Sequence, residues 1–351
     1  MDLLKKQAIN LLKELITIPS VSRNEVQKAD FLSHFLEQNS CVVARHNNNL
    51  WCVAGKLNDS KPTIMLNSHM DTVQPSSSWS IDPFKPIEKD GKIYGLGAND
   101  AHASLVSLIA TFLFLKDTPQ LYNLVLAISA EEEVSGINGM ESLVKVLPKI
   151  DFAIVGEPTQ MQLAIAEKGL MVVDCVAHGK SGHAAREEGV NAIYKAVEDI
   201  KWFQTYSFPE VSDLLGKVKM SVTLISAGIQ HNVVPDKCSF SVDIRVNECY
   251  TNKEVFEVIQ SNVQSDVVAR SFRLNSSSVD KNHAFVKKCL SMNLPVFGSS
   301  TLSDQTFMSF PSVKIGVGDS ARSHTADEYI YISEISDAIE MYISLLSGLR
   351  I

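Results

Sequence analysis

Two histidines and a run of carboxylates stand where apolar strands would end, and those residue types together bind metal ions. His69, in Ser68-His69-Met70-Asp71, follows the apolar run Thr63–Asn67. A histidine there can offer one ring nitrogen to a metal while a carboxylate two residues on holds the other ring N–H. Strand periodicity puts positions 69 and 71 on one face. Gly95-Leu96-Gly97-Ala98-Asn99-Asp100 opens a helical stretch that begins at His102. Asp100 takes the place of the third glycine of a dinucleotide loop, and an acid there excludes a phosphate role. Capping the helix is the plain alternative for such an aspartate. Ser129-Ala130-Glu131-Glu132-Glu133-Val134 follows the strand Leu124–Ile128, and Glu157 follows Phe152–Val155. A solvated loop would tolerate three adjacent acids. Beside a buried strand their charge is costly, and a cation would resolve it. Ser323-His324 adds a late histidine in a polar loop. Together these groups make the ligand set of a His/carboxylate zinc site.

The elements that position them are those of a folded chain. Its 351 residues are 45% hydrophobic and 21% charged, which excludes a disordered tail, a collagen-like repeat or a nucleic-acid arm. With 32 Lys+Arg against 40 Asp+Glu the net charge is −8, and no basic cluster offers itself to a polyanion, so no nucleic-acid partner is expected. The longest apolar stretch, Leu105–Leu115, falls far short of the ~20 residues a membrane span needs. Met1–Ile16 carries Lys5, Lys6, Lys13 and Glu14 among its apolar residues and reads as an amphipathic helix, not a signal peptide. Six scattered cysteines without a CxxC pair fit reduced thiols, hence a cytoplasmic protein with no membrane partner.

Up to about Glu167 helices and strands alternate. Helices are expected over 1–16, 30–37 and 102–115, and strands over 50–55, 63–67, 124–129 and 152–155. Continuous apolar strands between helices indicate a sheet covered on both faces. The middle differs: strands over 170–177, 218–226, 238–246 and 267–274, with helices over 191–206 and 254–263, follow the order βαββαβ of a ferredoxin-like sandwich. A helix over 281–292, a strand over 313–317 and a closing helix over 333–349 complete the chain. The expected organisation is a large α/β domain (1–168 and 278–351) interrupted by an inserted domain (169–277).

The ordered series His69-x-Asp71, Asp100, Glu132-Glu133, Glu157-Pro158 and His324 resembles the M20 metallopeptidase and deacylase family. That family includes acetylornithine deacetylase, succinyl-diaminopimelate desuccinylase, aminoacylase and carboxypeptidase G. The resemblance covers essentially the whole chain. It implies a zinc-exopeptidase-like catalytic domain, its mixed sheet flanked by helices, with an inserted ferredoxin-like βαββαβ lid domain. It implies two zinc ions per chain, for which cobalt may substitute. Asp100 would bridge them, with His69 and Glu157 on one and Glu133 and His324 on the other. Asp71 would orient His69. Glu132 would be the general base, because the family's acid-Glu-Glu-Val register gives Glu131 the leading, non-catalytic place; the register using Glu131 and Glu132 does not fit Val134.

In the insert, Ser181-Gly182-His183-Ala184 resembles the lid histidine that reaches a partner subunit's site and stabilises an oxyanion, which implies a homodimer through the lid. Gln230-His231-Asn232 and Asp243-Ile244-Arg245 resemble lid segments that bind the substrate. A turn residue and an exposed strand charge are the plain alternatives for His183 and Arg245. Ser303, before Asp304, resembles a substrate-side loop residue. Where the family has Asp-x-Lys-Gly-Gly, this chain reads Asp100-Ala101-His102-Ala103-Ser104, which alters the surroundings of the site but leaves the ligand set intact. The activity implied is removal of an acetyl or succinyl group from an amino acid, with acetylornithine deacetylase-like action in arginine biosynthesis first. N-acyl-citrulline deacylase or desuccinylase comes next, then a dipeptidase or aminopeptidase. A noncatalytic metal-binding protein is disfavoured by Glu132, which no ligand set needs.

Overall fold

A computed structural model describes residues 1–351. The chain divides into two units: residues 1–165, 278–297 and 303–351 form the first, and residues 166–277 with 298–302 the second.

The first unit opens with α1 (Asp2–Thr17), α2 (Val26–Gln38), β1 (Val43–His46), β2 (Asn49–Val53) and β3 (Thr63–His69). There follow β4 (Ile87–Lys89), β5 (Lys92–Tyr94), α3 (His102–Leu115), β6 (Asn123–Ser129), α4 (Met140–Leu143), β7 (Phe152–Val155) and β8 (Leu163–Glu167). The second unit contains β9 (Gly169–His178), β10 (Gly182–His183), α5 (Ala192–Thr205), β11 (Lys219–Ala227), β12 (Val233–Val234), β13 (Lys237–Val246), α6 (Asn252–Asn262) and β14 (Asp266–Ala269). The chain then runs through β15 (Ser277–Ser278), α7 (Ala284–Ser291), β16 (Val296–Ser299), β17 (Ser312–Lys314), β18 (Tyr329–Tyr331) and α8 (Ile332–Leu346).

Seven of the nine strands of the main sheet run in the order β1-β2-β6-β3-β7-β17-β8, and the sheet is mixed. β3 runs parallel to β6 and β7, and β17 parallel to β7, whereas β2 is antiparallel to β6. Every residue of β3, β6 and β7 is buried, which is why their sequences are continuous and not alternating. Along α1, Ala8, Leu11, Leu12 and Leu15 recur on one face and are buried. Nearly all of α3 is buried, and it packs on α1, α8 and β3. Parallel neighbours share a carboxyl end, so His69, paired with Ser129, and the residues just past Val155 leave the sheet along one edge.

Several boundaries differ from expectation. β3 ends at His69, so Asp71 lies past the strand and does not reach its place by strand alternation. The strand expected over 50–55 is Asn49–Val53, and its hairpin partner β1 is too polar to announce itself. The helix expected over 30–37 starts earlier, at Val26. The strand expected over 267–274 stops at Ala269, after which the Ser271 hydroxyl accepts the Arg273 N–H in a turn. That expected over 313–317 ends at Lys314, although the Ile315 N–H still donates to the Val155 carbonyl. β4, β5 and β18 form a small separate sheet that the apolar pattern did not mark.

In the second unit β11-β13-β9-β14 form an antiparallel sheet. With α5 between β9 and β11 and α6 between β13 and β14, this is the ferredoxin-like order. Val242 and Ile244 point into the core with Val173, Cys175, Ala196, Phe203 and Ile259. Asp243 and Arg245 alternate to the opposite face. α6 starts at a capping box, in which Thr251 and Glu254 satisfy each other's backbone N–H. No helix is long and apolar enough to cross a membrane. All six cysteines are free thiols, and only Cys249 is exposed.

Candidate metal centre

His69, at the end of β3, is 1% exposed. Its Nδ1 lies 3.0 Å from the Asp71 carbonyl and 3.4 Å from Asp71 Oδ1, so backbone and carboxylate orient the ring together. Asp71 is fixed in turn: Ser22 Oγ donates to Oδ2 (2.7 Å), and the N–H groups of Glu132 and Glu133 donate to Oδ1 and Oδ2. The other ring nitrogen, Nε2, is buried without a hydrogen-bond partner. It faces Asp100 Oδ1 at 3.4 Å, Glu157 Oε1 at 3.7 Å and Glu132 Oε2 at 4.0 Å.

Asp100 does not cap α3, whose N-cap is Ala101 and has no side-chain cap. Its other oxygen, Oδ2, lies 3.7 Å from His324 Nε2, and that nitrogen is 2.9 Å from Glu133 Oε2. One carboxylate thus presents an oxygen to each histidine. Glu131, by contrast, turns away, its Oε1 accepting from Asn138 Nδ2 at 3.1 Å. Two overlapping trios, His69-Glu132-Glu157 and His69-Asp100-Glu133, bring ligand atoms within 4.8 Å of one another. Distance alone therefore leaves Glu132 as near to His69 as a ligand would be.

Burial opposes ionisation of these acids, yet the hydrogen bond and charge of His69 hold Asp71 and Asp100 below the ordinary carboxylate range, while the glutamates are pushed up. Burial, reinforced by the charge of Glu157, keeps Glu132 well above the carboxylate range. Burial also raises Glu157 to about 8, with Asp100 adding to it. At His69 burial disfavours charge, yet Glu157, Asp100 and Asp71 outweigh it and raise the imidazole well above its ordinary value. The hydrogen bond to Glu133 lifts His324 to about 9. A field that attracts protons so strongly also attracts a divalent cation. The orphaned buried Nε2, the second imidazole and the carboxylates form an N/O donor set suited to zinc or cobalt.

The surroundings include buried residues whose contacts the sequence did not reveal. Glu328, 2% exposed, accepts the backbone N–H groups of Gly97, Asn99 and Asp100. Asp304 Oδ2 accepts from Ser129 Oγ at 2.5 Å, and buried Lys314 lowers the pKa of Glu157. His102 does not join the cluster: its Nε2 lies 3.0 Å from the Met70 carbonyl and 3.0 Å from Lys28 Nζ. Burial brings the Lys28 ammonium well below its ordinary pKa. None of these carries a local signal, since each acts on a segment distant in sequence.

Ser303 is buried and caps the turn Asp304–Phe307. In the second unit, His183 is exposed on β10, which pairs with β12, and its Nδ1 accepts the Ala185 N–H at 3.1 Å. Asn232 is exposed, and its carbonyl accepts from Ala184. Arg245 is not a free cation: Nε and Nη2 hold both oxygens of Asp243, at 2.8 and 3.1 Å. It borders a cavity of about 370 Å³ with Lys168, Lys219 and Ser221.

A family model, peptidase family M20/M25/M40, matches residues 65–348, and the chain belongs to this family. It is 24% identical over 373 residues to a succinyl-diaminopimelate desuccinylase of Orientia tsutsugamushi, covering 97% of this chain and 96% of that one. Among solved structures it resembles a tripeptidase of Staphylococcus aureus, with a TM-score of 0.78, 22% identity and 97% of each chain covered. It also resembles a dinuclear metal binding peptidase of Bacillus subtilis, with a TM-score of 0.73, 14% identity and coverage of 99% of this chain and 98% of that one. The family is one of hydrolases, and these structures share the mixed α/β fold described above.

Proposed function

We propose that the protein is a metal-dependent amidohydrolase that removes an acyl group, acetyl or succinyl, from the nitrogen of an amino acid. The observation that carries this reading is Asp100, which places one carboxylate oxygen toward His69 and the other toward His324. His69, Asp100 and Glu157 would hold one ion, and Asp100, Glu133 and His324 the second. Zinc, or cobalt in its place, would polarise the amide carbonyl and acidify the attacking water.

The protein's own groups then handle protons. Glu132 takes a proton from water as the oxygen bonds to the carbonyl carbon, and delivers it to the amine nitrogen as the C–N bond breaks. Asp71 holds the His69 ring, leaving Nε2 directed at the acids. His183, Asn232 and Arg245 are proposed to meet the substrate, His183 at the developing oxyanion. Asp243 would tune Arg245 in that role. The same reading puts the enzyme in the cytoplasm, acting in amino-acid biosynthesis as a homodimer.

The family and the desuccinylase relative support deacylation, and N-acetylornithine and N-succinyl-diaminopimelate are the first substrates to compare. Exopeptidase action on short peptides is the second reading, suggested by the tripeptidase of like fold. Turnover of both N-acyl amino acids, N-acetylcitrulline, dipeptides and tripeptides by zinc- and cobalt-loaded protein decides among them. The metal-free protein serves as control. Hydrolysis of peptides alone overturns the deacylase reading, and equal rates without metal overturn the metal centre.

A further inference from the structure

We infer that Glu328 is a positioning residue that keeps His324 in register with Asp100; the inference rests on the metal-centre reading above. His324 has few restraints of its own. Its side chain is 55% exposed, its φ of 59° lies in the left-handed region, and its contacts with the acids are Glu133 and Asp100. Its position is therefore set by what holds the segment from Asp319 to Glu328.

Both ends of that segment are tied to the loop that carries Asp100. At one end Glu328 Oε1 accepts the N–H groups of Asn99 (2.7 Å) and Asp100 (2.9 Å), and Oε2 accepts that of Gly97 (3.1 Å). The Gly95 N–H donates to the Glu328 carbonyl at 3.0 Å. At the other end Asn99 Nδ2 donates to the Asp319 carbonyl, and Asn99 Oδ1 accepts the Asp319 N–H, both at 3.0 Å. Nδ2 also reaches Ser323 Oγ at 3.3 Å. Glu328 is 2% exposed and Asn99 wholly buried, so water does not replace these bonds when they are cut.

The two sides of the clasp are unequally supported. The Asp100 loop continues into α3, which is buried against β3, the strand that ends at His69. Releasing Glu328 leaves Asp100 held near His69 and loosens the side of the segment that follows His324, while Asn99 and the Arg322–Glu334 pair still hold the side before it. The consequence is selective: the His324 side of the centre weakens while the His69 side persists. Residues that orient metal ligands in this way change affinity by roughly 10–100-fold when altered.

The test is zinc titration of Glu328→Gln against a competing chelator. An amide keeps the shape of the carboxylate but turns one acceptor oxygen into a donor that faces backbone N–H groups. Wild type is expected to bind two zinc ions per chain. The variant, folded by circular dichroism, should keep one at wild-type affinity and bind the second about 10–100-fold more weakly. Ser80→Ala is the control, since Ser80 ties the same segment, through Asp327, to a different loop. It should bind both ions as wild type does. If Glu328→Gln does not fold, Asn99→Ser cuts the other end of the clasp and should show the same selective loss. Two tight zincs in the folded variant, equal weakening of both, or the same selective loss in Ser80→Ala overturns the inference. A wild type that does not bind two zincs overturns the metal reading itself, which separates the two failures.

Discussion

Asp100 is the residue on which both halves of the proposed centre would depend, since each of its oxygens faces one histidine. Asp100→Ala is expected to lower bound zinc more than loss of His69, Glu133, Glu157 or His324, as judged by elemental analysis after dialysis. Two retained zincs would rule out the bridge. Glu132→Gln should keep both ions and the fold while turnover falls by roughly 10²–10⁴-fold, because the amide cannot accept the water proton. Joint loss of zinc and activity would instead make Glu132 a ligand, an outcome its 4.0 Å separation from His69 leaves open to measurement. Glu132, Glu133 and Glu157 were legible because they follow apolar strands, where unpaired charge is costly, and Asp100 because an acid closes a Gly-rich turn before a helix. Glu328 and Lys314 were not. Glu328 acts on Asp100 from 228 positions away, and Lys314 reads as one more residue of a strand. Arg245 was read as a substrate-binding residue, with an exposed strand charge as the alternative, and its ion pair with Asp243, two residues away on the same face, was not foreseen.

At the scale of elements, β7 and β17 decide where Glu157 sits. Gly316 follows β17, and a Cβ there would lie 2.4 Å from both the Glu157 carbonyl and Ser104 Oγ. Gly316→Ala is expected to destabilise the protein by about 1–3 kcal/mol, the usual cost of overpacking. It should also weaken zinc binding, because Glu157 must move with its backbone. Urea unfolding and zinc titration measure the two effects, and an unchanged zinc affinity would show that the strain is absorbed elsewhere. The long elements could be read from pattern alone: β3, β6 and β7 are continuous apolar runs, and α1 repeats at helical spacing. β4, β5 and β18 could not, because three-residue strands hold too little periodicity to separate from loops.

The whole molecule raises the question of assembly. β11 is an edge strand of the second unit and exposes Leu224 and Ile225, while α5 exposes Tyr194 and Val197. Edges of this kind are usually paired or protected, which supports the proposed homodimer. Mixing Glu132→Gln with His183→Ala and allowing subunits to exchange tests whether His183 serves a partner's centre. Sharing should restore up to about one quarter of wild-type activity under random pairing, since half the molecules are mixed and one of their two sites is intact. No recovery despite demonstrated exchange would confine His183 to its own chain, or to no catalytic part.

The first unit is written in three stretches, with the second unit interposed between β8 and the return at β15. A ribosome therefore delivers His69, Asp100, Glu132, Glu133 and Glu157 before the interposed unit and His324 only after it. Domains form as units during synthesis, at about 5–20 residues per second. The interposed unit is contiguous but for residues 298–302, so most of it emerges while the ligand set still lacks its last member. For that interval, on the order of ten seconds, the nascent chain carries an unfinished cluster of acids. Under the proposed two-ion centre, stoichiometric capture of the second ion would become a late event of biogenesis, set by emergence of the stretch that bears His324 and not by the metal supply alone.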